Sequence, residues 1–270
     1  MKPLLGAAFK IEALRMHRGW VLERQRDLEI QDFTSSQSVI DDWLDRARVI
    51  KDCLSGHTGR LGFHAPFLTL PINAADRDIR SVVNRRLHQA LDVCEYLGAN
   101  QMVIHSPFNM WNYSNFQWKE KAQEGHIERI HKTIGDVVER AKAIGCVLVV
   151  ENVEDKCPSH RVAVVRSFNS PAIRTSVDTG HAHFLHLAGG APTCADFIFA
   201  AGETLEHVHL QDTDGSGDRH WHPGRGTILW EDVFSAIGEV ASKARLLLEI
   251  RDASRFKEGV NYLVERGLAE

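Results

Sequence analysis

The sequence predicts a single-domain α/β protein, residues 1–270, built as a parallel (β/α)₈ TIM barrel, and three observations predict it. Short apolar runs alternate with segments of helical spacing eight times. Six of those runs stop at a histidine or a carboxylate: His64, His105, Glu151, Asp178, His209 and Glu249. The chain has 270 residues, close to the about 250 typical of one such barrel. An apolar run bounded by turn signals reads as a buried strand, and strand–helix alternation selects a parallel sheet. The candidate strands are 3–9, 27–33, 61–65, 101–105, 146–151, 173–178, 205–210 and 245–250.

The segments between them justify the helices in turn. Residues 36–55 follow serine cap candidates and carry Val39, Ile40, Trp43, Leu44, Ala47 and Ile50 at helical spacing. Residues 76–97 open on Asp76 and stop at Gly98; residues 124–144 carry Ile127, Ile130, Ile134, Val137 and Val138 and stop at Gly145. Glycine just past a helical run is a favourable C-terminal stop. Shorter helices fit 159–168, 193–201, 230–241 and 255–266. A doubly wound open sheet is the alternative architecture, but residues 10–20 hold no glycine-rich phosphate loop after the first strand. Two long connections stand out: 106–119, rich in aromatics (Phe108, Trp111, Tyr113, Phe116, Trp118), and the polar, glycine-rich 211–229. Long loops in a compact domain are commonly functional, so the aromatic one reads as a lid or an oligomer contact.

Composition narrows the class. A formal net charge of −4 gives no sign of a polyanion partner. Five scattered cysteines without a CxxC pair read as reduced thiols, and the amino terminus lacks a secretory pattern. No run approaches the ~18 apolar residues of a membrane span. The expectation is a cytoplasmic protein with no membrane association.

Chemistry in parallel α/β architectures gathers at the carboxyl ends of the strands, where the six polar endings fall. Glu151, Asp178, His209 and Glu249 form the firmest set. Three carboxylates brought together repel unless a cation neutralises them, and carboxylate plus imidazole suits a divalent metal. Taken singly, each residue could instead cap a helix or form an ion pair. His181 sits three residues past Asp178 on the same rim, and His64 and His105 each stand two residues before a proline that turns the chain after its strand. Within DRHWHPGRG, His220 is the preferred candidate, with Arg219 or Arg225 available for an anion; Asp212 reads as a carboxylate that orients an imidazole.

VVENVED (149–155), SVDTGHAH (176–183), HVHLQD (207–212), HWHPGRG (220–226) and LLLEI (246–250) resemble the xylose-isomerase-like TIM-barrel superfamily from about residue 60 onward. That superfamily holds sugar and sugar-phosphate isomerases and epimerases, related dehydratases and lyases, and zinc apurinic-site endonucleases. The resemblance implies metal ligation by Glu151, Asp178, His209 and Glu249, and substrate contact by His181. It implies one divalent ion, Mn²⁺, Mg²⁺, Co²⁺ or Zn²⁺, and homodimers or tetramers. The endonuclease branch uses nine positions for three zinc ions, which map onto His64, His105, Glu151, Asp178, His181, His209, Asp218, His220 and Glu249. Against that branch, no Lys/Arg cluster is apparent in the rim loops beyond Arg219 and Arg225, whereas DNA binding draws on basic residues.

The expected activity is isomerisation or epimerisation of a small sugar or sugar acid through a metal-stabilised enediolate. Glu151 would remove the proton and Glu249 would return one. His64, His105, His181, His220 and Arg219 would bind substrate, and Trp111 would cover it. A dehydratase or decarboxylase acting on a keto-sugar acid is the first alternative, and the tri-zinc endonuclease, with nucleic acid as partner, the second.

Overall fold

In the computed structural model, which describes residues 2–116, 121–240 and 243–270, eight parallel strands pair in sequence order and close on themselves. They are β1 (Leu5–Phe9), β2 (Leu28–Ile30), β3 (Leu61–His64), β4 (Gln101–His105), β5 (Val147–Glu151), β6 (Ile173–Asp178), β7 (Leu205–Leu210) and β8 (Arg245–Leu248). Every segment expected as a strand contains one. Pairing of β1 with β8, Leu5 opposite Leu246, completes the ring, so no unpaired sheet edge is left.

Helices surround the ring: α1 (Ile11–Glu23), α2 (Trp43–Cys53), α3 (Arg77–Leu97), α4 (Met110–Phe116), α5 (Ala122–Ala143), α6 (Pro158–Ser167), α7 (Thr179–Gly189), α8 (Cys194–Ala201), α9 (Trp230–Val240) and α10 (Phe256–Glu265). In α3 the Asp76 carboxylate accepts from the backbone N–H groups of Asp78 and Ile79 at 2.7 and 3.1 Å, and Gly98 at φ 77° stops the helix. Its buried stripe, Val83, Leu87, Ala90, Leu91 and Cys94, faces the barrel wall. Thr193 and Asp196 cap α8 reciprocally. Each fully buried Leu, Ile or Phe along these faces contributes about 1.5–3 kcal/mol before chain entropy is set against it.

Three departures from the sequence reading have local causes. The segment expected as one helix over 36–55 divides into a 3₁₀ turn at Gln37–Val39 and α2, because Asp42 adopts a left-handed conformation at φ 44°; aspartate tolerates that region better than most residues. Helix α1 is absent from the sequence reading because its buried stripe, Ile11, Leu14, His17 and Val21, contains a histidine. His17 is accommodated by Ala253 O, 2.7 Å from its Nε2. Helix α7 was hidden for a similar reason: it begins on a site residue, Asp178, whose carboxylate accepts from His181 N at 2.6 Å. Residue 241 of the expected 230–241 helix and residues 117–119 of the aromatic connection, Trp118 included, lie outside the described residues. The rest of that connection contains α4, with Phe108 buried and packed edge-on to Phe116.

One carboxylate makes the fold pH-sensitive away from the strand-end cluster. Asp32 accepts from Ile11 N at 3.0 Å, and burial pushes its carboxyl up from 3.8 to about 6. The fold therefore favours the protonated acid. The associated stability is fully present below the unfolded value and is lost as pH rises through about 6. Asp32→Asn keeps the side-chain oxygen and removes the charge. In urea unfolding it is expected to gain stability relative to wild type as pH rises from 4 to 8, by roughly 1–3 kcal/mol. An unchanged difference across that range would contradict this assignment.

Candidate metal centre at the barrel mouth

Strand register brings the polar endings to one level. His105 lies opposite Glu151, Asp178 lies opposite His209, and Glu249 N donates to Leu210 O at 3.2 Å. One ligand atom from each of Glu151, Asp178, His209 and Glu249 falls within 4.8 Å of the others. His209 Nδ1 is 2.6 Å from Glu151 Oε1 and 3.3 Å from Glu249 Oε2. Asp178 Oδ1 accepts from Gln211 Nε2 at 3.1 Å, while Asp178 Oδ2 is buried without a hydrogen-bond partner. A buried, orphaned carboxylate oxygen on a residue of this cluster is costly, and a cation would satisfy it. The donor set, three carboxylates and one imidazole, fits a divalent metal ion.

Among the described residues three further groups of ligand-type side chains adjoin this one, Glu29 with His207 and His209 being one of them. His64 Nε2 and His105 Nε2 lie 3.7 and 3.3 Å from Glu151 Oε2. His181 Nε2 and His220 Nε2 lie 3.6 and 3.1 Å from Asp218 Oδ1. Backbone carbonyls decide which imidazole nitrogens are free. A carbonyl only accepts, so the contacts of His64 Nδ1 to Ala65 O and His181 Nδ1 to Asn152 O, each 2.9 Å, place the protons on Nδ1. Each Nε2 is left facing the mouth, to donate to a carboxylate when the ring is protonated or to offer a lone pair to a metal when it is neutral.

The charge balance is visible in the proton affinities. Burial pushes Asp178 up to about 6, with Glu151 and Glu249 adding to it despite His181 and His220. Burial opposes ionisation of Glu151, but His209, His105 and His64 hold it well below the usual carboxylate range. Burial would lower His209, yet Glu249, Glu29 and Glu151 raise it well above its ordinary value. His220, likewise opposed by burial, is pushed up to about 10 by Glu249, Asp218 and Asp178. Among these residues, imidazolium supplies the positive charge that a metal ion would otherwise bring.

Several residues of the site escaped the sequence reading. Glu29, in the middle of β2, is buried and faces His209 Nε2 at 3.1 Å and His207 Nε2 at 3.1 Å. Burial acts to raise Glu29, but these two imidazoles hold it well below the ordinary value. Carboxylate, imidazole and ligand cluster thus stand in line, an arrangement that fixes the tautomer and orientation of a ligating histidine. The alternation HVH in β7 puts His207 and His209 on one face of the strand, and that was the available signal for His207. Gln211 was also missed: its amide bonds Asp178 Oδ1 and Asp218 Oδ1 and accepts from His220 N, each at 3.1 Å. Asn152 accepts from Asp178 N at 2.9 Å and donates to Asp178 O at 3.0 Å. The buried Arg161 guanidinium in turn bonds Asn152 Oδ1, Val150 O and Ser176 O.

Three expectations need adjustment. Among the described residues Asp212 orients no imidazole by hydrogen bonding; its carboxylate accepts from the backbone N–H groups of Thr213, Gly224 and Ile228 and from Trp230 Nε1. It shapes the 211–229 loop instead. Arg219 Nη2 donates to Ser216 Oγ at 2.6 Å, with Nε 3.5 Å from Asp214, and the residue lines a cavity beside the mouth. Trp111 stands on α4 with 74 % of its surface exposed, and among the described residues no contact joins it to the cluster. The mouth itself opens as a cavity of about 290 Å³ whose walls include Gln31, His64, Phe67, His220 and Glu249.

Comparison with known proteins agrees with the architecture. Residues 27–266 match a family model described as a xylose isomerase-like TIM barrel. An uncharacterized protein of Methanocaldococcus jannaschii is 24% identical over 204 residues, covering 72% of this chain and 67% of its own. A solved structure of a D-tagatose 3-epimerase-like protein superposes with a TM-score of 0.75 at 20% identity, covering 98% of both chains. The TTHB071 protein from Thermus thermophilus, soaked with ZnCl2, gives 0.73 at 23% identity over 98% of this chain and 97% of that one. No described helix is long and apolar enough to cross a membrane.

Gly180, in the DTGH segment, explains itself through Gln211. A Cβ at position 180 would lie 2.1 Å from the Gln211 carboxamide, so Gly180→Ala displaces the side chain that ties Asp178, Asp218 and His220 together. Divalent-metal affinity measured by calorimetry is expected to fall about 10–100-fold, and Glu29→Gln is expected to act in the same range. Wild-type affinity in Gly180→Ala would show that Gln211 does not organise the ligands.

Proposed function

The chain belongs to the xylose isomerase-like TIM-barrel family, and from that premise we propose that it is a divalent-metal-dependent isomerase or epimerase of a small sugar or sugar acid. The observation that carries this reading is the pair of carboxylates at one ligand cluster. Glu151 and Glu249 approach His209 Nδ1 from β5 and from the end of β8, so two acid–base groups share the mouth. The likeness to a D-tagatose 3-epimerase-like protein supports it at the level of the fold.

A divalent ion held by Glu151, Asp178, His209 and Glu249 would supply Lewis-acid stabilisation of negative charge developing on substrate oxygens. Glu151 Oε2 takes the proton from the carbon beside the carbonyl; its low proton affinity is set by His209, His105 and His64. Glu249 takes up a proton from solvent and delivers it to the other face, and Glu151 then releases its proton to solvent, which resets both carboxylates. Gln31 Nε2, which donates to Glu249 Oε1, holds that carboxylate in place. His64, His105, His181 and His220 offer hydrogen bonds to hydroxyls. Phe67, stacked 4.1 Å from His105, walls one side of the mouth and limits water. A positioned acid–base group contributes roughly 10²–10⁴-fold.

The same residues serve a dehydratase or decarboxylase of a keto-sugar acid. The flanking clusters favour a second reading. All nine positions associated with a three-metal apurinic-site endonuclease meet at the mouth as three adjoining groups. One experiment separates these readings. The protein is loaded with Mn²⁺ or Zn²⁺, its bound metal is counted, and it is incubated in D₂O with neutral and anionic ketoses and keto-acids, and separately with an abasic duplex. Solvent deuterium incorporated without loss of water or CO₂ is the expected result, and Glu151→Gln is expected to reduce it at least about 10²-fold. Loss of water or CO₂ selects the lyase; three tightly held ions with nicking of the duplex selects the endonuclease.

A further inference from the structure

The rim of the mouth carries a second cavity, of about 490 Å³, whose wall includes Arg219, Arg225, Arg251 and Arg255 but only one carboxylate residue, Asp252. It adjoins the first cavity, since His220, Ile250 and Arg251 line both. The arginines come from two loops. Arg219 and Arg225 follow β7, while Arg251 and Arg255 follow β8; Arg251 N donates to His220 O at 3.0 Å, which ties the loops together beside the cluster.

These guanidinium groups are not equally engaged. Arg255 is held by Glu258 through two bonds of 2.9 and 2.7 Å, and Arg219 by Asp214 and Ser216. Among the described residues Arg251 has a carboxylate within ion-pair reach only at 4.0 Å, Asp218. Arg225 has no carboxylate within ion-pair reach among the described residues. It lies 4.5 Å over the Trp221 ring, and stacking of this kind fixes the plane of a guanidinium while leaving its N–H edge free. One fork without a carboxylate partner, Arg225, and one held only at 4.0 Å, Arg251, line a single cavity and match an oxyanion, which binds such forks bidentately.

We propose that the substrate carries an anionic oxyacid group, a phosphate monoester or a carboxylate, seated between Arg225 and Arg251 while its carbonyl end lies at the Glu151–Glu249 cluster. This rests on the isomerase or epimerase reading above and narrows its substrate class to sugar phosphates and sugar acids. His220 stands between the two cavities, so the charged end and the reacting end of one small molecule can occupy both at once.

The test crosses the two sites. Binding of inorganic phosphate is measured by calorimetry on the metal-loaded wild type, R225A/R251A, R225K/R251K and Glu151→Gln. Phosphate held by the arginines is expected to bind about tenfold or more weakly in R225A/R251A, to recover in part in the lysine variant, and to weaken with added salt. Phosphate affected by Glu151→Gln and indifferent to R225A/R251A would lie on the metal and overturn the proposal. Deuterium exchange is then followed with D-fructose, D-fructose 6-phosphate and D-glucuronate. Exchange confined to an anionic compound, with KM raised about tenfold by R225A/R251A, supports the proposal and identifies phosphate or carboxylate. Exchange on D-fructose alone overturns it while leaving the isomerase reading intact. Arginine-dependent phosphate binding without exchange on any sugar supports the anion site and removes the isomerase reading. Arginine-dependent binding of an abasic duplex, with no affinity for phosphate or the anionic sugars, would assign the cavity to nucleic acid and overturn the proposal.

Discussion

Three carboxylates converging on His209 in a buried pocket are the constraint around which the mouth is organised. Glu151, Asp178 and Glu249 could not stay together as ions in that environment without positive charge between them. The fold supplies part of it as imidazolium, with His209 raised well above its ordinary value against the effect of burial. The remainder of the demand is visible in Asp178, whose Oδ2 has no partner and whose carboxyl is pushed up to about 6, chiefly by burial. A divalent ion bound there would resolve both. The surrounding polar groups then make sense as supports: Glu29 behind His209, Gln211 between Asp178 and Asp218, and Asn152 against the backbone of Asp178.

The barrel limits the conformational cost of this arrangement, because each ligand stands on or just beyond a strand whose neighbours fix its register. His105 against Glu151 and Asp178 against His209 are strand partners. Asp178 also caps α7, so the same carboxylate starts a helix and faces the cluster. Rigid elements hold the ligands, while the loops after β7 and β8 carry the arginines and His220. A scaffold that fixes chemistry at strand ends and varies its loops can change substrate without rebuilding its core.

The fold and the residues that cluster at the strand ends were legible because they obey simple periodicities. Strand endings in His, Glu or Asp gave His64, His105, Glu151, Asp178, His209 and Glu249, and DTGH gave His181. Glu29 was not legible because it sits inside a three-residue strand between Leu28 and Ile30, one position short of an ending. Gln211 depends on a contact with Gly180 across 31 residues of chain, a coupling no local pattern records. The arginine cavity was missed for the same reason. Arg219 and Arg225 stand out in DRHWHPGRG, but Arg251 and Arg255 join them only when β7 and β8 lie side by side.

The account depends most on a cation between the three carboxylates and His209. Crystals soaked in MnCl2 and measured for anomalous scattering test it directly. The expected result is one strong peak within bonding distance of Glu151, Asp178, His209 Nδ1 and Glu249, with Asp178 Oδ2 turned toward it. A pocket without manganese, in which His209 remains bonded to Glu151 and the acids stay protonated or part from one another, would contradict it.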